Sequence, residues 1–231
     1  MITILIPLYN GIEFLEECLK SVVSQTYSEW NIIIGINGHG SDGGDIVQKA
    51  RASATDPRIS IHIQGPPLKG KVESLNDMMT LVKTEWVCLL DCDDVWLPTK
   101  LEEQINCLKE LDYKIDVIGT LCQYFGDRSN SPSIPIGHIE ASCLERANPI
   151  INSSSLIRRS HCYWRYTSIC HGMEDYDLWM RITFFGGTLY NIPKVLCYHR
   201  IHPDSAFNSK QQSPDALQNE YRIKNAAYFT L

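Results

Sequence analysis

Apolar residues along the first hundred positions fall into two rhythms. Thr3 to Ile6 is a short unbroken apolar run stopped by Pro7. Leu15, Cys18, Leu19, Val22 and Val23 then recur at the spacing of one helix face, and Asn31 to Ile36 returns to an unbroken run. This predicts a strand, a helix and a second strand. A turn follows at Gly38, Gly40, Gly43 and Gly44, after which Ile46, Val47 and Ala50 mark a short helix and Ile59 to Ile63 a third strand. Past a Gly-Pro-Pro break at Gly65 to Pro67, Val72, Leu75, Met79 and Val82 give another helical stripe. It leads into Glu85 to Leu90, a run short and apolar enough for a buried parallel strand. Four strands alternating with three helices, joined by right-handed crossovers, predict an α/β domain with a doubly wound, mostly parallel sheet.

The pattern loosens after residue 98. Pro98 suits the first turn of a helix carrying Leu101, Ile105, Leu108 and Leu111, and Ile115 to Leu121 reads as a strand. Asp127 to Pro135, rich in Ser, Asn and Pro, reads as an exposed loop. Glu174 to Phe185 resumes helical spacing through Leu178, Ile182 and Phe185, closed by Gly186-Gly187. Leu189 to Ile192 and Val195 to Tyr198 read as two strands, and Pro214 to Phe229 as a terminal helix. With no internal repeat, the chain reads as one domain over 1–231, divided into a regular half (1–98), an irregular half (99–207) and a C-terminal helix (208–231).

The strand at Glu85 to Leu90 ends abruptly in Asp91, Asp93 and Asp94, three carboxylates within four positions. Such acids repel one another unless a cation holds them, and the carboxyl end of a strand is where open α/β sheets bind ligands. A divalent metal with oxygen ligands, helping to hold a phosphate-bearing substrate, suits that place. The simpler alternative, capping of the next helix, needs only one side-chain oxygen. A parallel sheet delivers its other loops to the same edge: Pro7, Tyr9 and Asn10 after the first strand, Asn37 and Asp42 after the second. The ring of Tyr9 can pack on a nucleobase, Asn37 can hydrogen-bond its edge, and a metal can bridge phosphates. The glycines from Gly38 to Gly44 match neither a Walker A loop nor GxGxxG, which disfavours a P-loop ATPase or a dinucleotide dehydrogenase.

Composition narrows the setting. A chain of 231 residues, 44% hydrophobic, can bury a core without staples. Its nine cysteines show no CxxC and no paired spacing, which argues for reduced thiols in a cytosolic setting and against a zinc ribbon. A net charge of −6 gives no support to nucleic acid as a partner. No apolar run approaches a membrane span, and the first residues lack the basic region and cleavage site of a signal peptide. Peripheral work at a membrane stays open.

Four blocks then carry a resemblance. Ile4-Leu-Ile-Pro-Leu-Tyr-Asn10, Leu15-Glu-Glu-Cys-Leu-Lys-Ser-Val-Val-Ser-Gln-Thr-Tyr27, Leu89-Leu-Asp-Cys-Asp-Asp-Val-Trp-Leu-Pro98 and Glu174-Asp-Tyr-Asp-Leu-Trp-Met-Arg181 resemble, in order and spacing, the signature blocks of family-two glycosyltransferases. The resemblance implies a single Rossmann-like GT-A domain, with a nucleotide-sugar-binding half at 1–98 and an acceptor and catalytic half at 99–207. It makes Asp91-Cys92-Asp93 the DxD motif: Asp91 near the ribose or its phosphates and among the metal ligands, Asp93 on Mn²⁺ or Mg²⁺, Asp94 supporting. Pro7 and Tyr9 would flank the nucleoside, with Asn10 beside them, and Lys71 and Asn76 would contact the donor. Where the family usually has a pair of aspartates, this chain has Asn37-Gly38-His39, so the choice among uridine, thymidine and guanosine donors is open, with a UDP-sugar first.

At Glu174-Asp175 the residues and the resemblance meet. A positioned carboxylate can take the proton of an acceptor hydroxyl as it attacks an anomeric carbon, although acids at a helix N-terminus also simply complement its dipole. The family pattern makes Asp175 the base, with Glu174 and Asp177 supporting or binding acceptor. Tyr198 to Ser205 is similar to the family's closing segment, giving His202 to the metal or diphosphate and Arg200 to negative charge. Asn152-Ser153-Ser154 would line the sugar or acceptor side. The implied reaction is a single inverting displacement from a nucleoside-diphosphate sugar to a glycan, glycoprotein or lipid-linked acceptor. A catalytically silent sugar-nucleotide-binding or scaffold domain is the alternative. A nucleotidyltransferase is a weaker one, because Pro7 to Gly11 supplies no basic triphosphate loop.

Overall fold

The computed structural model describes residues 1–39, 44–65, 68, 70–165 and 172–203. Asp42, the Pro66-Pro67 break and everything expected of 208–231 lie outside these residues. The first half alternates as its pattern predicts: β1 (Ile2–Leu8), α1 (Leu15–Val23), β2 (Trp30–Ile36), α2 (Gly44–Ser53), β3 (Ile59–Ile63), α3 (Lys71–Met79) and β4 (Trp86–Leu89). The second half adds β5 (Val95–Trp96), α4 (Lys100–Glu110), β6 (Val117–Gly126), β7 (Gly137–His138), α5 (Ala141–Leu144), β8 (Leu156–Arg158), α6 (Glu174–Phe184) and β9 (Leu189–Ile201), with 3-10 turns at Asn152–Ser154 and Arg159–His161.

One sheet runs through both halves in the order β3-β2-β1-β4-β8-β6-β9-β5, with β7 beside β9. The four strands from β3 to β4 are parallel. β8 then runs antiparallel between β4 and β6, and β6 and β9 are parallel to each other. The apolar runs of β1, β2 and β4 are unbroken because both faces are covered. Ile4 and Ile6 share one core with Leu19 of α1, Ala50 of α2 and Leu101 of α4. Leu5, Val87 and Leu89 share the other with Leu75 of α3 and Trp179 of α6. Ile2, Ile4 and Ile6 are wholly buried, each worth about 1.5–3 kcal/mol of apolar transfer.

Three expectations shift, each for a local reason. β1 continues through Pro7 to Leu8. Leu5 turns its carbonyl toward β4, accepting from Leu90 N, and Leu8 turns its own toward β2, accepting from Asn37 N. By alternation Pro7 faces the β4 side, past the last β1–β4 pair at Leu5 and Leu89, so its missing N–H costs no ladder bond. Leu189–Ile192 and Val195–Tyr198 are one strand, β9, which carries Pro193 through register shifts opposite Thr120 to Cys122. The buried stripe of α3 is Val72, Leu75 and Met78, leaving Met79 only partly buried. The eight described cysteines are free, and among the described residues no helix is long and apolar enough to cross a membrane.

Candidate active site

The carboxyl ends of β1, β2 and β4 open at one edge of the sheet, and the end of β9 lies against the acid loop. There the three aspartates go separate ways. Asp91 Oδ1 lies 2.6 Å from Lys71 Nζ, and its Oδ2 accepts from Asn152 Nδ2 at 3.2 Å. Its backbone N–H donates to Ser153 Oγ at 3.1 Å. Burial opposes the charge of Asp91, but the Lys71 cation, with its hydrogen bond and the one from Asn152, holds the carboxyl below the usual range. The turn at Asn152–Ser154 therefore grips Asp91 from beneath.

Asp93 faces His202, with Oδ2 3.1 Å from Nε2. Burial, with Asp94 and Asp91 nearby, raises its carboxyl. Asp94, expected to support a metal, is instead wholly buried. Its Oδ2 lies 2.9 Å from His199 Nδ1, and its Oδ1 accepts from Arg200 N at 2.8 Å. Burial works against the His199 cation, yet Asp94 lifts its pKa to about 9. Arg200 meets negative charge within the chain itself. It donates to Asp93 O at 2.9 Å and to Glu17 at 2.6 Å, with its guanidinium 4.6 Å from the Phe14 ring and 4.1 Å from the Phe125 ring. Asp94 and Arg200 lock the acid loop to β9, with Asp93 and His202 side by side next to them.

Among the described residues no three His, Cys, Asp or Glu side chains converge as a metal cage. A carboxylate and an imidazole nevertheless fit Mn²⁺ or Mg²⁺, which takes few protein ligands and completes its shell with substrate phosphates and water.

Past the end of β1, Tyr9 is 59% exposed, a ring presented to solvent. Gly38 beneath it has φ of +83°, and a Cβ there would come within 2.4 Å of the Tyr9 ring. His39, which sequence reasoning passed over, lies with Nε2 2.6 Å from Tyr9 O. Asn37 is 4% exposed and is not free to read a base: its Oδ1 accepts from Leu68 N at 3.0 Å and its Nδ2 donates to Leu68 O at 3.5 Å. Asn76 is likewise committed, exchanging bonds of 2.7 and 3.0 Å with the backbone of Trp164. The carbonyl of Asn10 accepts from Cys92 Sγ at 3.3 Å, and Pro7 lies one residue before the end of β1.

The acid pair sits across Lys71, whose Nζ is 3.4 Å from Glu174 Oε1. Asp175 accepts from Asn148 Nδ2 at 2.9 Å on Oδ2 and from Tyr176 N at 2.8 Å on Oδ1. Burial and the neighbouring Glu174 push its carboxyl up to about 6, against the lowering effect of Asn148 and Lys71. Asp177, expected to support Asp175 or to bind acceptor, is 1% exposed and held between Arg165 at 2.6 Å and Arg181 at 2.8 Å. Its helix spacing relative to Asp175 turns it inward.

A family model described as Glycosyl transferase family 2 matches residues 3–169. An uncharacterized glycosyltransferase of Rickettsia conorii is 25% identical over 88% of this chain and 34% of its own length. The UDP-Glc:alpha-D-GlcNAc-diphosphoundecaprenol beta-1,3-glucosyltransferase WfaP of Escherichia coli is 27% identical over 91% of this chain and 81% of its own length. The chain spans only 34% and 31% of two Rickettsia relatives that it matches. Among solved structures, S. aureus TarS in complex with UDP-GlcNAc superposes with a TM-score of 0.73 at 16% identity, over 98% of this chain and 65% of that one. A mannosyltransferase from Pyrobaculum calidifontis, in complex with GDP-Man and Mn²⁺, gives 0.66 at 14% identity, over 100% of this chain and 70% of that one. At these identities the structures share the fold.

Proposed function

The chain belongs to glycosyl transferase family 2, and from that premise we propose that it moves a sugar from a nucleoside-diphosphate sugar to an acceptor hydroxyl with inversion, Asp175 acting as the base. The observation that carries the reading is Lys71, which lies 2.6 Å from Asp91 and 3.4 Å from Glu174 and so joins the acid loop to the acid pair. Donor and acceptor chemistry would meet across that lysine. At neutral pH a carboxyl with a pKa of about 6 is mostly ionised and still basic enough to take a proton.

The acceptor O–H proton passes to Asp175 as the oxygen bonds to the anomeric carbon and the bond to the diphosphate breaks. Asp93 and His202 would hold a Mn²⁺ or Mg²⁺ ion, which when bound stabilises charge on the departing nucleoside diphosphate. Lys71 and Asp91 orient the donor, and Tyr9 stacks on the base. A UDP-sugar is the first donor to try, supported by the UDP-Glc named for WfaP and the UDP-GlcNAc bound to TarS. The diphosphoundecaprenol acceptor named for WfaP supports a lipid-linked acceptor in polysaccharide assembly, with glycans and glycoproteins as the other candidates.

Calorimetry with UDP, GDP and dTDP, each with and without Mn²⁺, on the wild type and on Asp93→Ala tests the donor site. UDP binding that needs Mn²⁺ and is lost in Asp93→Ala is the expected result. No binding of any nucleotide would overturn the assignment in favour of a scaffold.

A further inference from the structure

Asp175 does not stand alone on its helix; it is met from outside by a turn that several side chains hold in place. Asn148 precedes Pro149, which restricts its backbone to extended conformations. Its Oδ1 accepts from Ile150 N at 3.3 Å, closing an Asx turn. That bond decides the orientation of the amide. Ile150 N–H can only donate and the Asp175 carboxylate can only accept, so Asn148 must turn its oxygen to Ile150 and its NH₂ to Asp175.

The turn is gripped again from behind. Asn191 Nδ2 donates to Pro149 O at 2.8 Å, and Trp179 Nε1 donates to Ile150 O at 3.3 Å. Both of these side chains are wholly buried. Trp179 lies one turn after Asp175 on α6, so the helix that carries the carboxylate also holds the turn that aims at it.

We infer that Asn148 is the positioning residue for Asp175, fixing which oxygen sites of the base remain open to an acceptor hydroxyl. The inference rests on the reading of Asp175 as the base. An ionised carboxylate offers about four lone-pair sites. Tyr176 N takes one on Oδ1 and Asn148 takes one on Oδ2, so the carboxylate cannot rotate about its terminal bond without losing both bonds. The charged groups facing it are Glu174 from its own helix and Lys71 from α3, and the neutral amide of Asn148 faces it from the third side. Asn148 stabilises the ionised form, in opposition to Glu174.

Two variants separate aim from packing. Asn148→Asp keeps the acceptor that closes the turn but replaces the NH₂ with a second acceptor facing Asp175; Asn148→Ala removes both bonds. The Asp175 carboxyl is titrated by carbon-13 NMR, assigned with Asp175→Asn. In parallel, the pH profile of kcat is measured for nucleotide release to water from UDP-glucose, UDP-N-acetylglucosamine and GDP-mannose. Thermal melting confirms that each variant is folded.

The expected result is that the Asp175 midpoint rises by about half a pH unit or more in Asn148→Ala and by more than about one unit in Asn148→Asp. The acid limb of kcat should move with it. At pH 6 Asn148→Asp would then lose about fivefold or more in kcat and regain most of it by pH 8.5, a recovery that a merely structural defect would not give. An unmoved NMR midpoint in both folded variants overturns the positioning role itself. A moved midpoint with an unmoved kcat profile, or with no turnover of any donor, overturns the base assignment and with it the catalytic part of the inference.

Discussion

Backbone ladders run through both halves of the molecule, but the turns beside the acid pair in the second half carry extra side-chain bonds of their own. In residues 1–98, strands β1 to β4 are joined by backbone ladders in one parallel register, and the functional loops simply follow the strands to the open edge. In residues 99–203, buried side chains reach across to main-chain carbonyls. Gln104 donates to Ile118 O and Ser154 O, Asn191 to Pro135 O and Pro149 O, and Trp179 to Ile150 O. A parallel sheet can present a nucleotide site by topology alone. An acid pair with a defined approach needs its turns pinned individually, and each pin is a polar group that must stay satisfied. Stability and geometry are therefore coupled at the turns beside the acid pair.

Asp175→Asn should break that coupling most strongly. Turnover is expected to fall on the order of 10²–10⁴-fold with the loss of the base, while the fold becomes more stable near neutrality. Burial and Glu174 raise the Asp175 carboxyl from 3.8 to about 6. The folded state thus binds its proton more tightly than the unfolded state, and wild-type stability falls as pH climbs through that window. Below about pH 4 both states are protonated and the two proteins should melt alike. Above about pH 7 the variant should gain about 1–2 kcal/mol, a figure discounted because the carboxylate is only partly buried. Urea titrations at pH 4 and pH 8 check this; an equal difference at both values would remove the electrostatic explanation.

The next contrast sets a polar pin against an apolar contact. Asn191→Ala leaves the carbonyls of Pro135 and Pro149 without their shared donor, and about 2–4 kcal/mol should be lost. Ile4→Val, at an equally buried site of β1, should cost about 0.5–1.5 kcal/mol. Chemical unfolding of both variants would sharpen the comparison, and equal losses would end it.

The same difference explains what could be read from the sequence. Strand and helix positions through β4 were legible because apolar periodicity reports burial directly. The placement of acids at element ends was also legible: Asp91 and Glu174 both come to Lys71. What residue type alone does not carry is the bond a polar side chain finally makes. Asn37 pairs with Leu68, Asn76 with Trp164, Asp94 with His199, and Asp177 with two arginines. Asn148 is the reverse case. An Asn-Pro step signals a turn, but nothing in it indicates a carboxylate 27 positions later. The apolar pattern reads β9 as two strands, because the register shifts that carry the strand past Pro193 leave no mark in it.

The smallest expected effect lies where the halves meet. Lys100 is wholly buried in α4, with Nζ 2.9 Å from Gln104 Oε1 and 3.8 Å from the centre of the Trp96 ring, and burial lowers its pKa. Lys100→Met keeps the length and removes the ammonium, at the expense of one unpaired Gln104 acceptor. Replacing buried charge with an apolar group of similar volume is often neutral or stabilising, so the net change at pH 7 should stay within about 1 kcal/mol. The sign of its pH dependence is fixed. A lysine whose folded pKa lies below its unfolded value makes the wild type more stable as pH rises toward 10, so any advantage of Lys100→Met should shrink over that range. Gln104→Leu, which strips the donor from two carbonyls, should cost more than Lys100→Met at every pH. If it did not, the two halves would be joined by Lys100 and Trp96 rather than by the amide.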